Sequence, residues 1–240
     1  MKLTVIGCFG AYPNAGGASS GYLVEEGNTK VLLDCGSGVL ASIQERLSLG
    51  KLDAVILSHY HPDHDADFGC LQYAAMIETQ LGKREKPLYA WGPDSKSLSF
   101  KHYCIGNSYE KQSAFQIGEL RFDVLQNIHE ITSYSIRVTA SDGAVLVYSG
   151  DTAYNLKLAQ FAQAADCFLC EASFYSDRHN DTALHLTSIE AARLAAEARV
   201  KQLVLTHLPH FGEQEQLVRE ACSVYPGKVL LAEQWLAIPI

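Results

Sequence analysis

The sequence predicts an α/β (α+β) fold: two mixed β-sheets packed face to face with helices on the outer faces, a four-layer αββα sandwich. Two observations carry that expectation. Strands come first and helices then alternate with strands, and this order runs through the chain twice over. Hydrophobic residues make up 48% of 240 and charged residues 19%, ample material for a core. With no fixed-period repeat, low-complexity tract or linker in between, residues 1–240 read as a single domain.

Residues 2–8 are apolar and β-branched and predict the first strand. A Gly-, Ala- and Ser-rich loop follows over 9–21. Residues 21–26 and 30–34 predict a hairpin across Gly27-Asn28. Asp34-Cys35-Gly36-Ser37-Gly38 then leads into an amphipathic helix ending near Gly50. The run 53–57 predicts a buried strand, 66–81 a helix, 87–91 a short strand and 93–103 a weak helix. Strands are predicted at 115–118, 120–125, 133–140 and 144–148, with a turn at Ser141-Asp142-Gly143, and Gly150-Asp151-Thr152 is expected to close the second sheet. Helices at 156–165, 187–199 and 213–222 alternate with strands at 167–171, 202–206 and 228–232.

The chemistry concentrates in Ser58-His59-Tyr60-His61-Pro62-Asp63-His64. Three histidines and an aspartate fall within six residues, directly after a buried strand. Pro62 argues against a regular helix through the cluster, so a short loop is expected there. Imidazole nitrogens with carboxylate oxygens suit zinc, manganese or iron. Three further residues repeat the position just past a predicted strand: His129, Asp151 and His207. The recurrence of one strand-end edge points to a shared site.

This arrangement resembles the metallo-β-lactamase superfamily, and within it the ribonuclease Z-like branch of small bacterial metallo-hydrolases, over nearly the whole chain. The element His185-Leu186-Thr187 stands where that branch has His-x-Thr. The resemblance implies the metallo-β-lactamase fold and two divalent metal ions, zinc or manganese. His59, His61 and His129 would hold the first, Asp63, His64 and His207 the second, and Asp151 would bridge them. Asp34 would orient a ligand histidine by taking its N–H proton; its alternative is a helix cap or turn carboxylate. Two ions about 3.5–4 Å apart can share a water and lower its pKa from about 16 towards 7, supplying a bridging hydroxide. Asp63 would orient it, and His185 would protonate the leaving oxygen of a phosphodiester. Glu171 ends a buried strand and would either contact His185 or serve as a plain strand-end carboxylate. Aromatic residues near the site loops, Tyr60, Phe174, Tyr175, His179, His210 and Phe211, suit base stacking or plain loop packing.

The implied activity is that of a metal-dependent phosphodiesterase acting on RNA ends, oligonucleotides or small phosphodiesters. Ribonuclease Z proper, processing tRNA 3′ ends, is the alternative, although residues 151–187 hold none of the long Gly-, Pro- and Lys/Arg-bearing arm of those enzymes. A net charge of −8 also speaks against broad nucleic-acid affinity. A β-lactamase would carry cysteine at Asp151, and a flavo-diiron protein Glu at His61. A non-catalytic protein of the same fold is the remaining alternative, against which the full ligand set speaks. Lys83-Arg84-Glu85-Lys86 is a local basic patch or a solvated loop. The seven cysteines are scattered; Cys167 and Cys170, three apart on a strand, point to opposite faces and read as core residues. No apolar run nears the ~20 residues of a membrane helix, and no signal series opens the chain, so a cytoplasmic protein is expected. A homodimer is implied by the resemblance.

Overall fold

The computed structural model describes residues 1–95, 97–181 and 184–240; the side chains of His179, Asn180 and Asp181 lie outside the described residues. Two seven-stranded sheets form the centre. The first runs in the order β14-β1-β2-β3-β4-β5-β6: β14 (Ala237–Pro239), β1 (Lys2–Gly7), β2 (Gly21–Glu26), β3 (Thr29–Leu33), β4 (Ala54–Ile56), β5 (Leu88–Gly92) and β6 (Cys104–Ser108). The second runs β13-β12-β11-β10-β9-β8-β7: β13 (Lys228–Leu231), β12 (Gln202–Thr206), β11 (Cys167–Glu171), β10 (Val145–Tyr148), β9 (Tyr134–Thr139), β8 (Leu120–Gln126) and β7 (Ala114–Ile117). Each sheet is mixed. Its antiparallel half is β14 to β3 or β7 to β10, and its parallel half, β3 to β6 or β10 to β13, comes from longer crossovers.

Side-chain alternation sorts the two faces. On β4, Ala54 and Ile56 enter the core between the sheets, while Val55 joins the cluster beneath the outer helices. That outer cluster packs α1 (Val39–Ile43) and α3 (Phe68–Gln80) on the first sheet. α4 (Leu156–Phe161), α5 (Ser188–Ala198) and α6 (Gln214–Cys222) cover the second. The expected sandwich is therefore observed. α5 opens as its sequence requires: Thr187 caps it, accepting from the Glu190 backbone N–H, while the Glu190 carboxylate takes the Thr187 N–H.

Several expectations need correction. Pro62 does not exclude a helix: it stands at the first position of a helical turn, α2 (Pro62–Asp65), where its missing N–H is no loss. Asp63 and His64 thus sit on a helix, while His59 and His61 precede it. The helix expected near Gly50 stops at Ile43, and a 3₁₀ turn over Leu49–Lys51 follows. Among the described residues, 93–103 carry no helix; the chain instead folds back into edge strand β6. The second sheet does not close at Gly150: β11, β12 and β13 extend it in parallel. The strand at 228–232 is not the last, because β14 returns to the first sheet beside β1.

Candidate metal centre

Every side chain of the cluster leaves the end of a strand on one edge of the sandwich. β4 ends into His59, His61 and α2. β8 leads to His129, β10 to Asp151 and β12 to His207. Asp34 and His207, each directly after its strand, have left-handed backbones (φ 55° and 53°), sparsely populated for residues with a Cβ. Gly10 lies against the His207 ring, where a Cβ would come within 2.6 Å of Cε1.

The structure brings the seven candidate metal-binding residues together. His59, His61, His129 and Asp151 form one group and Asp63, His64, Asp151 and His207 a second, with donor atoms within 4.8 Å of one another in each. Asp151 belongs to both. Its Oδ1 lies 3.3 Å from His64 Nε2, and its Oδ2 lies 3.3 Å from His207 Nε2 and 3.6 Å from His59 Nε2.

Proton accounting shows what the cluster can hold. Asp34, wholly buried, accepts from the Ser58 N–H at 2.6 Å, the Ser58 hydroxyl at 2.8 Å and the Tyr148 hydroxyl at 2.7 Å. A carboxylate only accepts, so His64 Nδ1–H donates to it at 2.7 Å. With its proton given to Asp34, the Ser58 oxygen accepts from His59 Nδ1–H at 3.0 Å. Likewise the Ser173 hydroxyl donates to Glu171 Oε2 at 2.5 Å and accepts from His207 Nδ1–H at 2.7 Å. His129 Nδ1–H donates to the Leu184 carbonyl at 3.1 Å. The outer nitrogens of His59, His64, His129 and His207 are thus engaged outside the cluster, and each Nε2 faces in, that of His207 lying 3.1 Å from Asp63 Oδ2.

His61 Nδ1 sits 3.1 Å from His59 Nε2 and 3.2 Å from His129 Nε2. Zinc–nitrogen bonds of about 2.0–2.1 Å in a tetrahedron place ligand nitrogens about 3.3 Å apart, close to these separations. In the second group, His64 Nε2 and Asp151 Oδ1 are buried without a hydrogen-bond partner. Lone pairs converging in a buried site repel unless a cation lies among them, so the donor set fits divalent metal ions. Burial disfavours charge on Asp151 and Asp63, but the surrounding histidines outweigh it and hold both carboxyls well below the usual range. The same carboxylates pull His207 and His64 toward the protonated form against their burial, and a bound cation would replace those protons.

His185 stands at the open side, its side chain 28% exposed. Its Nδ1 lies 3.1 Å from Glu171 Oε2 and 3.8 Å from Asp151 Oδ2. Burial lowers its pKa, but the Glu171 carboxylate outweighs that and pushes it up to about 9. A third group of donors, Glu171, His185 and His207, is this hydrogen-bonded chain through Ser173. Asp34 accepts from a cluster histidine as the resemblance implies, and Glu171 contacts His185.

Sequence reading missed Ser58, Ser173 and the Ala11 N–H, which donates to Asp63 Oδ2 at 2.7 Å. The one available signal was position: Ser58 adjoins His59 and Ser173 follows Glu171 by two. Of the aromatic residues, Phe174 lies 6.2 Å from His185, ring to ring, whereas His210 stacks on Tyr12 at 3.7 Å and clamps the 9–17 loop. Cys167 and Cys170 are buried and unpaired, outside both groups of donors.

Fold and donor set together define a metallo-hydrolase architecture. The beta-lactamase superfamily domain pattern matches residues 29–208, and the chain belongs to the metallo-β-lactamase superfamily, in its ribonuclease Z-like branch. It is 41% identical over 239 residues to the probable metallo-hydrolase YhfI of Bacillus subtilis, covering 97% of each chain. The crystal structure of YhfI superposes with a TM-score of 0.94 at 39% identity, over 99% of this chain and 98% of that one. Ribonuclease Z of Methanopyrus kandleri is 28% identical over 96% of this chain and 95% of its own. Human tRNase Z, short form, shares the fold with a TM-score of 0.74 at 20% identity, over 100% and 99%.

Proposed function

We propose that the chain is a dinuclear metal phosphodiesterase acting on RNA ends, oligonucleotides or small phosphodiesters. The carrying observation is the inward convergence of imidazole nitrogens on Asp151, with His185 at the open side. His59, His61 and His129 would hold one ion, Asp63, His64 and His207 the other, and Asp151 would be shared between them. Zinc is the expected metal, with manganese the alternative. The ions, when bound, supply a water of lowered pKa and charge to stabilise a phosphodiester transition state.

The remaining steps belong to the chain. Asp63 Oδ2 is held by the Ala11 N–H, which leaves Oδ1 to accept a hydrogen bond from the attacking water. Glu171 fixes Nδ1 of His185, so Nε2 is the nitrogen that donates a proton to the leaving oxygen. Asp34, Ser58 and Ser173 orient His64, His59 and His207. Ribonuclease Z proper is the second reading, supported by the Methanopyrus relative. A single domain, a homodimer and a cytoplasmic location complete the proposal; the described residues hold no helix long and apolar enough to cross a membrane.

Incubation of the metal-loaded protein with bis(p-nitrophenyl) phosphate, pre-tRNA, short RNA and cyclic nucleotides, side by side, tests this. Hydrolysis of the diesters is expected. Confinement of turnover to pre-tRNA would favour ribonuclease Z proper, and absence of turnover on all four would sink the phosphodiesterase reading.

A further inference from the structure

A cavity of about 900 Å³ opens at the far end of β4 from the metal centre. Asp53, just before the strand, lines it, whereas His59 follows the strand. Six residues of extended chain separate the two by about 20 Å. Asn28 in the β2–β3 turn and Gly118 in the β7–β8 turn bring both sheets into its wall.

The lining opposes the overall charge. Lys51, Lys83, Arg84 and Lys86 face Asp53 and Glu85, four cations against two carboxylates in a chain of net charge −8. One of those carboxylates is already engaged: Asp53 Oδ2 accepts from the Lys30 N–H at 2.8 Å. Arg84 is 6% exposed and fixed in place, its guanidinium donating to the carbonyls of Leu49, Gly50 and Leu52, while its buried Nε has no partner. The lysines are not spent in this way. Lys83 meets Glu78 only at 4.0 Å, and Lys51 and Lys86 form no ion pair among the described residues. Beside them stand Tyr89, 40% exposed, Trp91, and the amides of Asn107 and Gln116.

We propose that this cavity binds a nucleoside di- or triphosphate, at a site separate from the metal centre. Lys51 and Lys86, without an ion pair among the described residues, and Lys83, held only by the long contact to Glu78, suit a polyphosphate. Tyr89 offers a stacking face for a base, and the side-chain amides offer both donors and acceptors to its edge. The volume falls in the range of small-ligand pockets, roughly 300–1,000 Å³. The basic run Lys83-Arg84-Glu85-Lys86 gains a role that a solvated loop does not give it.

Trp91 supplies the readout. The chain has two tryptophans, so Trp235→Phe leaves Trp91 as the sole indole emitter. In the metal-loaded Trp235→Phe protein, ADP should change Trp91 emission saturably, more weakly at high salt. Adding Lys83→Glu and Lys86→Glu should raise the ADP dissociation constant at least about tenfold, since two charged contacts are lost. Their hydrolysis of bis(p-nitrophenyl) phosphate should match the parent, and His207→Ala should keep the ADP response. Silence of Trp91 toward ADP would overturn the proposal. So would a response lost in His207→Ala but untouched by the lysine reversals, which would locate the nucleotide at the metal centre. Pyrophosphate binding as tightly as ADP would overturn the base-binding half. The ADP-binding readouts do not depend on turnover, so failure of the phosphodiesterase reading leaves them intact.

Discussion

Asp34 Oδ2 accepts the Nδ1 proton of His64 at 2.7 Å, and both residues are wholly buried. Thirty residues apart in sequence, they meet because β3 and β4 are parallel neighbours whose ends share one edge. Asp34 fixes the His64 tautomer and, through Ser58, that of His59. Asp34→Asn keeps the shape but loses one acceptor oxygen. It should weaken metal binding about 10–100-fold in chelator competition while leaving the chain folded. Unchanged affinity would show that the carboxylate is only a packing partner of Tyr148.

Ser173 bears the same relation to His207 that Ser58 bears to His59. Ser173→Ala removes the acceptor for His207 Nδ1–H and the donor to Glu171. One ion of the pair should then bind more weakly while the other, held by His59, His61 and His129, is spared. Titration with zinc should resolve two unequal affinities where the parent shows a smaller gap. Equal loss at both positions would contradict the division of ligands.

His185→Ala should preserve metal content, because His185 stands outside both four-residue groups. Loss of a general acid costs roughly 10²–10⁴ in rate. The drop in kcat should be large for diesters with alkoxide leaving groups and small for p-nitrophenyl esters, whose leaving group needs little protonation. Equal losses on both substrates would count against proton donation.

Gly36→Ala tests the packing that holds the helical turn. A Cβ there would sit 2.0 Å from the Asp63 carbonyl oxygen, and the neighbouring Cys35 N–H donates to the His64 carbonyl at 2.7 Å. Overpacking of this kind costs about 1–3 kcal/mol, or roughly 3–10 °C in Tm for a chain of this size. Thermal melts with and without zinc should show the deficit and a weaker response to metal. A variant melting like the parent would mean that the turn yields freely.

Much of this was legible in the residues. The His-x-His-x-Asp-His run places four donors together by spacing alone, and β8, β10 and β12 end where their apolar runs end, which marked the neighbourhoods of His129, Asp151 and His207. What escaped has physical reasons. Pro62 breaks a helix interior but fits a first turn, and sequence spacing does not tell the two positions apart. β6 is short and polar, and β14 has three residues, so neither shows a period against its flanks. Ser58, Ser173 and the Ala11 N–H act through hydrogen bonds to residues such as Asp34, His207 and Asp63 that tertiary folding brings close, and serine near a turn is too common to announce such a role.

Seven side chains from four strand ends would together seat two cations. Elemental analysis after saturation with zinc or manganese and removal of excess measures it directly. Two ions per chain are predicted, falling to one or none in Asp151→Ala. A folded wild-type chain that retains no ion, or an Asp151→Ala chain that still retains two, would contradict it.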